Sequence, residues 1–307
     1  MLIALAGPTA SGKTELALQL AEQLDGEILC ADSRQIYKEL DIGTATPGLA
    51  EQARAPHHLF NMADPRTTLT LAEYAAAAEA AIKAIMARSK VPILVGGTGL
   101  YFRTLLYAYQ IPEVAPQPTL RAELQAREDA SPGSLHRELA DVDPLSAERL
   151  HAHDLRRIIR ALEVYQQTGQ PISSLQQGAS QLQRPCLYYG LQVPKEVLYR
   201  RIQQRIQQMF ADGLAEEVSQ LRARYGADLP LLQTLNYLET GKYLDGTWDL
   251  ATASEQMFIH TRQYAKRQYT WFRRDSELQR QPVASAADIA ALAQQIARQW
   301  QECVSHV

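Results

Sequence analysis

The residues best suited to chemistry stand at the start of the chain. Gly7-Pro8-Thr9-Ala10-Ser11-Gly12-Lys13-Thr14 is a full match to the pattern G-x-x-x-x-G-K-[ST]. Its glycines let successive backbone N–H groups converge on a phosphate, and the N-terminus of a following helix adds its positive dipole end. Lys13 supplies a point charge, and the Thr14 hydroxyl suits a Mg²⁺ ion. A phosphate-bearing ligand is therefore expected at residues 7–14. A carboxylate follows at Asp32, in Asp32-Ser33-Arg34-Gln35. At the C-terminal end of a parallel strand it would face the ligand crevice, as a general base, a metal ligand or a helix cap. Gly96-Gly97-Thr98-Gly99 is a second glycine turn. It implies close approach by a ligand or by the first loop, unless it is a plain tight turn. Two adjacent histidines, His57 and His58, cannot face one way on a strand, which favours loop or packing roles over a metal pair.

These groups need a scaffold, and the hydrophobic patterning supplies one. Leu2–Ala6, Glu27–Ala31 and Pro92–Val95 are short apolar runs of buried-strand character. Leu16, Leu20 and Leu24 continue at helical spacing after the first loop. Thr70 and Glu73 form a capping box ahead of an apolar stripe at Leu71, Tyr74, Ala78, Ile82 and Ile85. The fold class is α/β: a P-loop NTPase-like parallel sheet flanked by helices. Prolines cluster between Ile111 and Pro118, marking an exit from that core, and the patterns from Leu120 to about Gln183 are helical. Strand character returns at Leu187–Val193. The expected organisation is a core of residues 1–111 and 184–307, with an all-helical insertion at 112–183. Inside the insertion, Leu155, Ile158, Ile159 and Leu162 form a core stripe. Arg156, Arg157 and Arg160 lie beside it, as a solvated face or as contacts to RNA or phosphate.

The chain has 307 residues, 46% hydrophobic and 21% charged, which excludes a disordered chain. No apolar run is long enough to span a membrane, and no signal peptide precedes the first loop. Cys30, Cys186 and Cys303 lie far apart, as in a protein of the reducing cytoplasm. With 31 basic and 34 acidic residues the net charge is −3, which alone disfavours a nucleic-acid partner. The average hides a local exception. Between Gln256 and Arg274 there are five basic residues, Arg262, Lys266, Arg267, Arg273 and Arg274, and no acid. Arg262, Lys266, Tyr269 and Arg273 fall on one helix face, with Tyr264, Trp271 and Phe272 interleaved. Either the aromatics pack inward and the charges are solvated, or the segment holds phosphates and unpaired bases.

The ordered set of motifs resembles the tRNA dimethylallyltransferase (tRNA isopentenyltransferase) family. The matching pieces are GPTASGKT at 7–14, ADSRQIY at 31–37, DIGTA at 41–45, PHHL at 56–59 and LVGGTGLYF at 94–102. HDLRRIIRALEVY at 153–165 and TRQYAKRQYTWFR at 261–273 complete the set. The chain departs from the family at Thr234-Leu235-Asn236-Tyr237, where an Ile-Gly-Tyr-like step is usual, and after His151, where Pro-Asn commonly follows. The resemblance implies transfer of a dimethylallyl group from dimethylallyl diphosphate to N6 of the adenosine 3′ of the anticodon. Residues 7–14 (Gly7, Pro8, Thr9, Ala10, Ser11, Gly12, Lys13, Thr14) and Arg205 would bind the diphosphate, with Mg²⁺ on Thr14. Asp32 would be the base, and Lys13 and Thr98 further catalytic residues. Asp32, Ser33, Arg34, Gln35, Thr98 and Arg121 would contact tRNA. So would Arg156, Arg157, Ile158, Ile159 and Arg160, and the run Lys266, Arg267, Gln268, Tyr269, Thr270, Trp271, Phe272 and Arg273. The partners implied are the tRNA anticodon stem-loop and dimethylallyl diphosphate, without a membrane, for a cytoplasmic monomer.

Two other functions would use the same loop. A small-molecule kinase would transfer phosphate from ATP, but has no use for an acid-free basic helix. A non-catalytic, nucleotide-dependent RNA-binding switch would keep its RNA affinity after loss of Asp32 without losing any product.

Overall fold

A computed structural model describes residues 1–109, 112, 114–176 and 181–305. In chain order the first elements are β1 (Leu2–Ala6), α1 (Lys13–Leu24), β2 (Gly26–Ala31), α2 (Leu49–Gln52), β3 (His57–His58), α3 (Leu71–Ala87), β4 (Val91–Gly96) and α4 (Gly99–Leu106). Five helices follow: α5 (Pro118–Ala130), α6 (Ser134–Val142), α7 (Pro144–Arg149), α8 (Leu155–Thr168) and α9 (Ile172–Leu175). The remainder is β5 (Cys186–Gln192), α10 (Lys195–Ala211), α11 (Leu214–Tyr225), α12 (Tyr237–Leu244), α13 (Leu250–Phe272), β6 (Gln279–Pro282) and α14 (Ala286–Ser305).

The strands form one parallel sheet in the order β3-β2-β4-β1-β5-β6. β1, β2 and β4 are buried throughout, as expected of strands covered by helices on both faces. Register decides the site. Gly96 pairs with both Ala6 and Ala31, and Ala6 pairs with Gly190. These four small residues form one rung at the C-terminal edge. Gly7 and Asp32 therefore leave the sheet side by side, separated only by β4. At a strand spacing of about 4.8 Å their backbones lie about 10 Å apart, a gap suited to a small diphosphate ester.

Local sequence explains the helices that frame this edge. Thr70 and Glu73 make the capping box of α3, and Tyr74, Ala78, Ile82 and Ile85 are its buried face. The Tyr74 hydroxyl reaches through the layer to donate to the Cys30 carbonyl at 2.8 Å. Gly213, at φ +99°, separates α10 from α11. Asp249 caps the 23-residue α13, accepting from the Thr252 N–H at 2.8 Å.

The chain divides into two compact units, residues 1–105 with 184–307, and residues 106–183. Ile111, the last residue of the expected first core segment, lies outside the described residues. The second unit is helical. Leu124, Leu135, Leu139, Ile158, Leu162 and Val164 make its core. Glu163 is fully buried there and accepts from Gln117 N, Arg121 and Arg160 at 2.6–2.8 Å.

Two strands escaped the sequence pattern. His57 and His58 form β3, pairing with Ile28 and Leu29. The His58 ring bonds Glu27 at 2.5 Å, while His57 Nδ1 bonds the Ala55 carbonyl at 2.8 Å. β6 (Gln-Arg-Gln-Pro) has no apolar residue but its proline to betray it and is held as an edge by pairing with β5.

Candidate active site

The loop after β1 builds a phosphate cradle. Gly12 adopts φ +97°, a conformation open to glycine, and turns the backbone into the first turn of α1. Lys13 Nζ folds back to donate to the Pro8 carbonyl at 2.6 Å. Two arginines from α10 reach the same loop: Arg205 Nη1 donates to Thr9 Oγ1 at 3.1 Å and Arg201 Nη1 to the Ser11 carbonyl at 3.2 Å. A cavity of about 440 Å³ is lined by Thr9–Thr14, Asp32, Arg201 and Arg205. Burial lowers the Lys13 ammonium to about 7, with Arg205 pushing the same way against the opposing pull of Asp32. Burial also lowers the Arg205 guanidinium from its ordinary value. Two crowded cations facing one carboxylate favour a ligand with several negative charges.

Asp32 occupies a pinned turn. Its Oδ1 accepts the Arg34 N–H at 2.9 Å. Thr98 N donates to the Ala31 carbonyl at 3.0 Å, and Thr98 Oγ1 accepts the Ser33 N–H at 2.9 Å. No helix starts after Asp32, so the cap role falls away. Thr98 fixes the turn from β4. The second glycine turn owes its composition to crowding by protein. A Cβ at Gly97 would lie 2.0 Å from Gln268 Nε2, and one at Gly96 2.0 Å from the Ala31 carbonyl oxygen. Gln268, from α13, bridges two loops. Its Oε1 accepts the Thr9 N–H at 2.9 Å and its Nε2 donates to the Gly97 carbonyl at 3.1 Å.

The loop at 41–45 forms the opposite wall. Glu217 accepts the N–H groups of Asp41, Ile42 and Gly43 at 2.7–3.2 Å and the Tyr237 hydroxyl at 2.8 Å. Gln35 Nε2 and Arg205 Nη2 both donate to the Thr44 carbonyl. A second cavity, of about 340 Å³, is lined by the apolar Ile202, Ile206 and Met209 of α10 and by Leu235, with Ser33, Arg34, Tyr264 and Arg267 among its other residues. Thr9, Asp32, Thr44 and Arg205 line both cavities. Asp32 thus stands where a phosphate cradle meets a cavity that is partly apolar.

The remaining sequence-derived candidates separate. On α13, Arg267 lines the second cavity and Gln268 the phosphate cavity. Lys266, Tyr269, Thr270 and Arg273 instead line a different cavity of about 750 Å³ beside β5. Trp271 is 41% exposed. Phe272 also borders that cavity, but its ring is largely buried, packed edge-on against Phe102 with centroids 5.7 Å apart. Ile158 and Ile159 are likewise buried, so their side chains hold the second unit together instead of facing a ligand. Arg121 and Arg160 are tied to Glu163, while Arg156 and Arg157 are exposed, Arg157 bonded to Asp154. Arg201, Thr44 and Met209 line these cavities without having been singled out in the sequence, whereas Tyr264, one of the interleaved aromatics, lines the second. Arg201 had a signal, standing one helical turn before Arg205.

Similarity to known proteins agrees with this geometry. The sequence profile of the IPP transferase family matches residues 35–275. A tRNA dimethylallyltransferase of Gloeothece citriformis is 47% identical over 277 residues, covering 90% of each chain. That of Chloroflexus aggregans is 48% identical over 275 residues, 89% of this chain and 93% of the relative. The crystal structure of the full-length tRNA isopentenylpyrophosphate transferase of Bacillus halodurans superposes with a TM-score of 0.70. It is 34% identical, over 100% of this chain and 99% of that one. A eukaryotic dimethylallyltransferase acting on tRNA gives a TM-score of 0.80 at 28% identity, over 99% of this chain and 79% of that one. The chain belongs to the IPP transferase family.

Proposed function

We propose that this enzyme is a tRNA dimethylallyltransferase: it moves the dimethylallyl group of dimethylallyl diphosphate to N6 of the adenosine 3′ of the anticodon. The observation that carries the reading is the placing of Asp32 and Arg205 on the walls of both cavities. The diphosphate lies in the cradle of residues 7–14, against Lys13, Arg201 and Arg205. The apolar side of the adjoining cavity, with Ile202, Ile206 and Met209, suits the five-carbon chain. An adenine stacked in an anticodon loop cannot reach a recessed carboxylate, so the base is flipped out of the stack.

The N6 lone pair is delocalised into the ring, so the amine needs a base. Asp32 takes one N6 proton as nitrogen bonds to the allylic carbon. The C–O bond to the diphosphate breaks, and its electron pair leaves with the phosphate oxygen. The loop N–H groups, Lys13 and Arg205 stabilise that charge as it develops. Thr98 and Ser33 hold the Asp32 turn. Arg34 and Arg267 stand at the RNA side of the second cavity, and Gln35 supports the 41–45 wall.

A Mg²⁺ ion fits the donors present. Thr14 lines the phosphate cavity and brings a hydroxyl to it. Among the described residues, no cluster of three His, Cys, Asp or Glu side chains competes as an all-protein metal cage. One protein hydroxyl completed by phosphate oxygens and water is the hard-oxygen pattern of Mg²⁺. When bound, it neutralises charge on the departing diphosphate. The helical unit, with Arg156 and Arg157 exposed, serves as a clasp for the tRNA stem-loop. The enzyme works in the cytoplasm as a monomer, and no described helix is long and apolar enough to cross a membrane.

Single-turnover transfer with Asp32→Asn tests the assignment of the base. Loss of a general base lowers the rate about 10²–10⁴-fold, while stem-loop affinity stays within about twofold. A near-normal rate would rule Asp32 out. ATP consumed without prenylation would point to the kinase alternative.

A further inference from the structure

The cavity beside β5 is distinct from the two that share Asp32. Five cationic side chains line it, Lys195, Arg262, Lys266, Arg273 and Arg280, and no carboxylate does. Among the described residues, Lys195, Arg262, Lys266 and Arg273 form no ion pair with an acid. Two of these charges are oriented by an aromatic ring instead. Lys195 Nζ lies 5.5 Å and Arg262 Cζ 5.4 Å from the centroid of Tyr199, and Arg262 also lies 5.6 Å from Phe258. A ring quadrupole aligns a cation without neutralising it, so the full charge is left for an anion. Tyr269 closes the wall: its hydroxyl accepts from Val193 N at 2.9 Å and donates to the Val193 carbonyl at 3.2 Å.

Resting on the tRNA-modifying function above, we propose that this cavity seats phosphodiester groups of the unpaired RNA strand flanking the reacting adenosine. The length of the cationic face separates an RNA strand from a single nucleotide. From Arg262 through Lys266 to Arg273, the residue that caps the C-terminus of α13, is eleven helical steps, about 16 Å at 1.5 Å per residue, more than one phosphate group or triphosphate needs. Position favours the same occupant. Neighbouring residues on α13 serve different cavities: Arg267 lines the Asp32 cavity and Lys266 this one. A strand that delivers its base to Asp32 and passes over α13 therefore meets these cations next. Lys195, Tyr199 and Arg262 become RNA-binding residues outside the 266–273 segment.

The test uses the full chain with Lys195→Gln, Arg262→Gln and the double variant, and Arg262→Lys as a charge-preserving control. Stem-loop affinity is followed by fluorescence anisotropy from 0.05 to 0.3 M salt, in parallel with prenyl transfer. Removing two phosphate contacts on a single strand lowers the slope of log affinity on log salt by about 1.4. At 0.15 M salt the double variant should bind the stem-loop about tenfold more weakly. Its kcat at saturating RNA and its KM for dimethylallyl diphosphate stay unchanged, and Arg262→Lys keeps the wild-type slope. An unchanged slope and affinity in the double variant would overturn the proposal. So would ATP competition that the double variant abolishes while RNA binding stays intact, since the cavity would then seat a free nucleotide. Failure of the wild-type chain to prenylate the RNA would count against the proposed function, and the salt slope would still decide the role of this cavity.

Discussion

Lys13 makes diphosphate affinity depend on pH in a direction the structure dictates. Burial holds its ammonium at about 7, against an ordinary 10.5. The charged form is the one that binds an anion. In the free enzyme about 90% of Lys13 is charged at pH 6 and about 10% at pH 8. Bound diphosphate draws the proton back, so affinity falls as pH rises through 7, by about tenfold between pH 6 and 8. The diphosphate titrates in the same range with the opposite effect, and Lys13→Arg, which stays charged, removes that contribution. The assay is calorimetric titration with dimethylallyl diphosphate at pH 6, 7 and 8 on both proteins, in buffers of different ionisation enthalpy. The ratio of wild-type to variant affinity should drop about tenfold across the range. The wild type should also take up about half a proton more than the variant at pH 7. A ratio independent of pH would refute the reasoning, because Lys13 would then be fully charged before the ligand arrives.

Other perturbations follow from contacts already described. In Gly97→Ala the new methyl collides with Gln268 Nε2. Gln268 must withdraw from Thr9, and KM for dimethylallyl diphosphate should rise severalfold with circular dichroism unchanged; an unaltered KM would show that the bridge does not matter. Glu163→Ala strands Arg121 and Arg160 in the helical unit. Its cost is about 3 kcal/mol, the low end for a broken buried pair because the Arg121 side chain is 42% exposed, read as a lower midpoint in urea. The carboxyl of Glu163 is pushed up by burial, but the hydrogen bonds from Arg121, Gln117 N and Arg160 outweigh this and bring it to about 2. A depressed carboxyl stabilises the fold above its ordinary 4.5 and loses that contribution as the pH falls through 2. Glu163→Gln should therefore flatten this part of the acid-unfolding curve. Glu217→Ala releases the N–H groups of residues 41–43 and should lower kcat more than it lowers RNA affinity, measured by transfer and anisotropy in parallel.

What the sequence disclosed was local. The loop at 7–14, the buried strands and the Thr70–Glu73 box each announce themselves within a few residues, because turn and capping chemistry is short-range. The site is legible to the extent that its parts stand at strand ends, as Asp32 and Gly97 do. What stayed hidden depends on long-range contacts. Thr9 and Gln268 are 259 residues apart, and no local pattern reveals that bond. The basic face of α13 was visible as a stripe, yet which cavity each residue meets depends on how the helix packs. Lys266 and Arg267 look equivalent in sequence and face different chambers. Ile158 and Ile159 carry the opposite lesson. They lie inside a motif, but their place on the apolar stripe already marked them as core. Strand β6 is all polar apart from a proline, and only pairing with β5 defines it.

In the proposed reaction the phosphate loop grips a leaving group while Asp32 activates an amine. Its most direct test is mass spectrometry of nucleosides from an anticodon stem-loop incubated with the enzyme, dimethylallyl diphosphate and Mg²⁺. The expected product is adenosine carrying one added five-carbon prenyl unit on N6, with one diphosphate released per transfer and no ATP required. Unmodified adenosine in the presence of bound stem-loop and bound dimethylallyl diphosphate would contradict it.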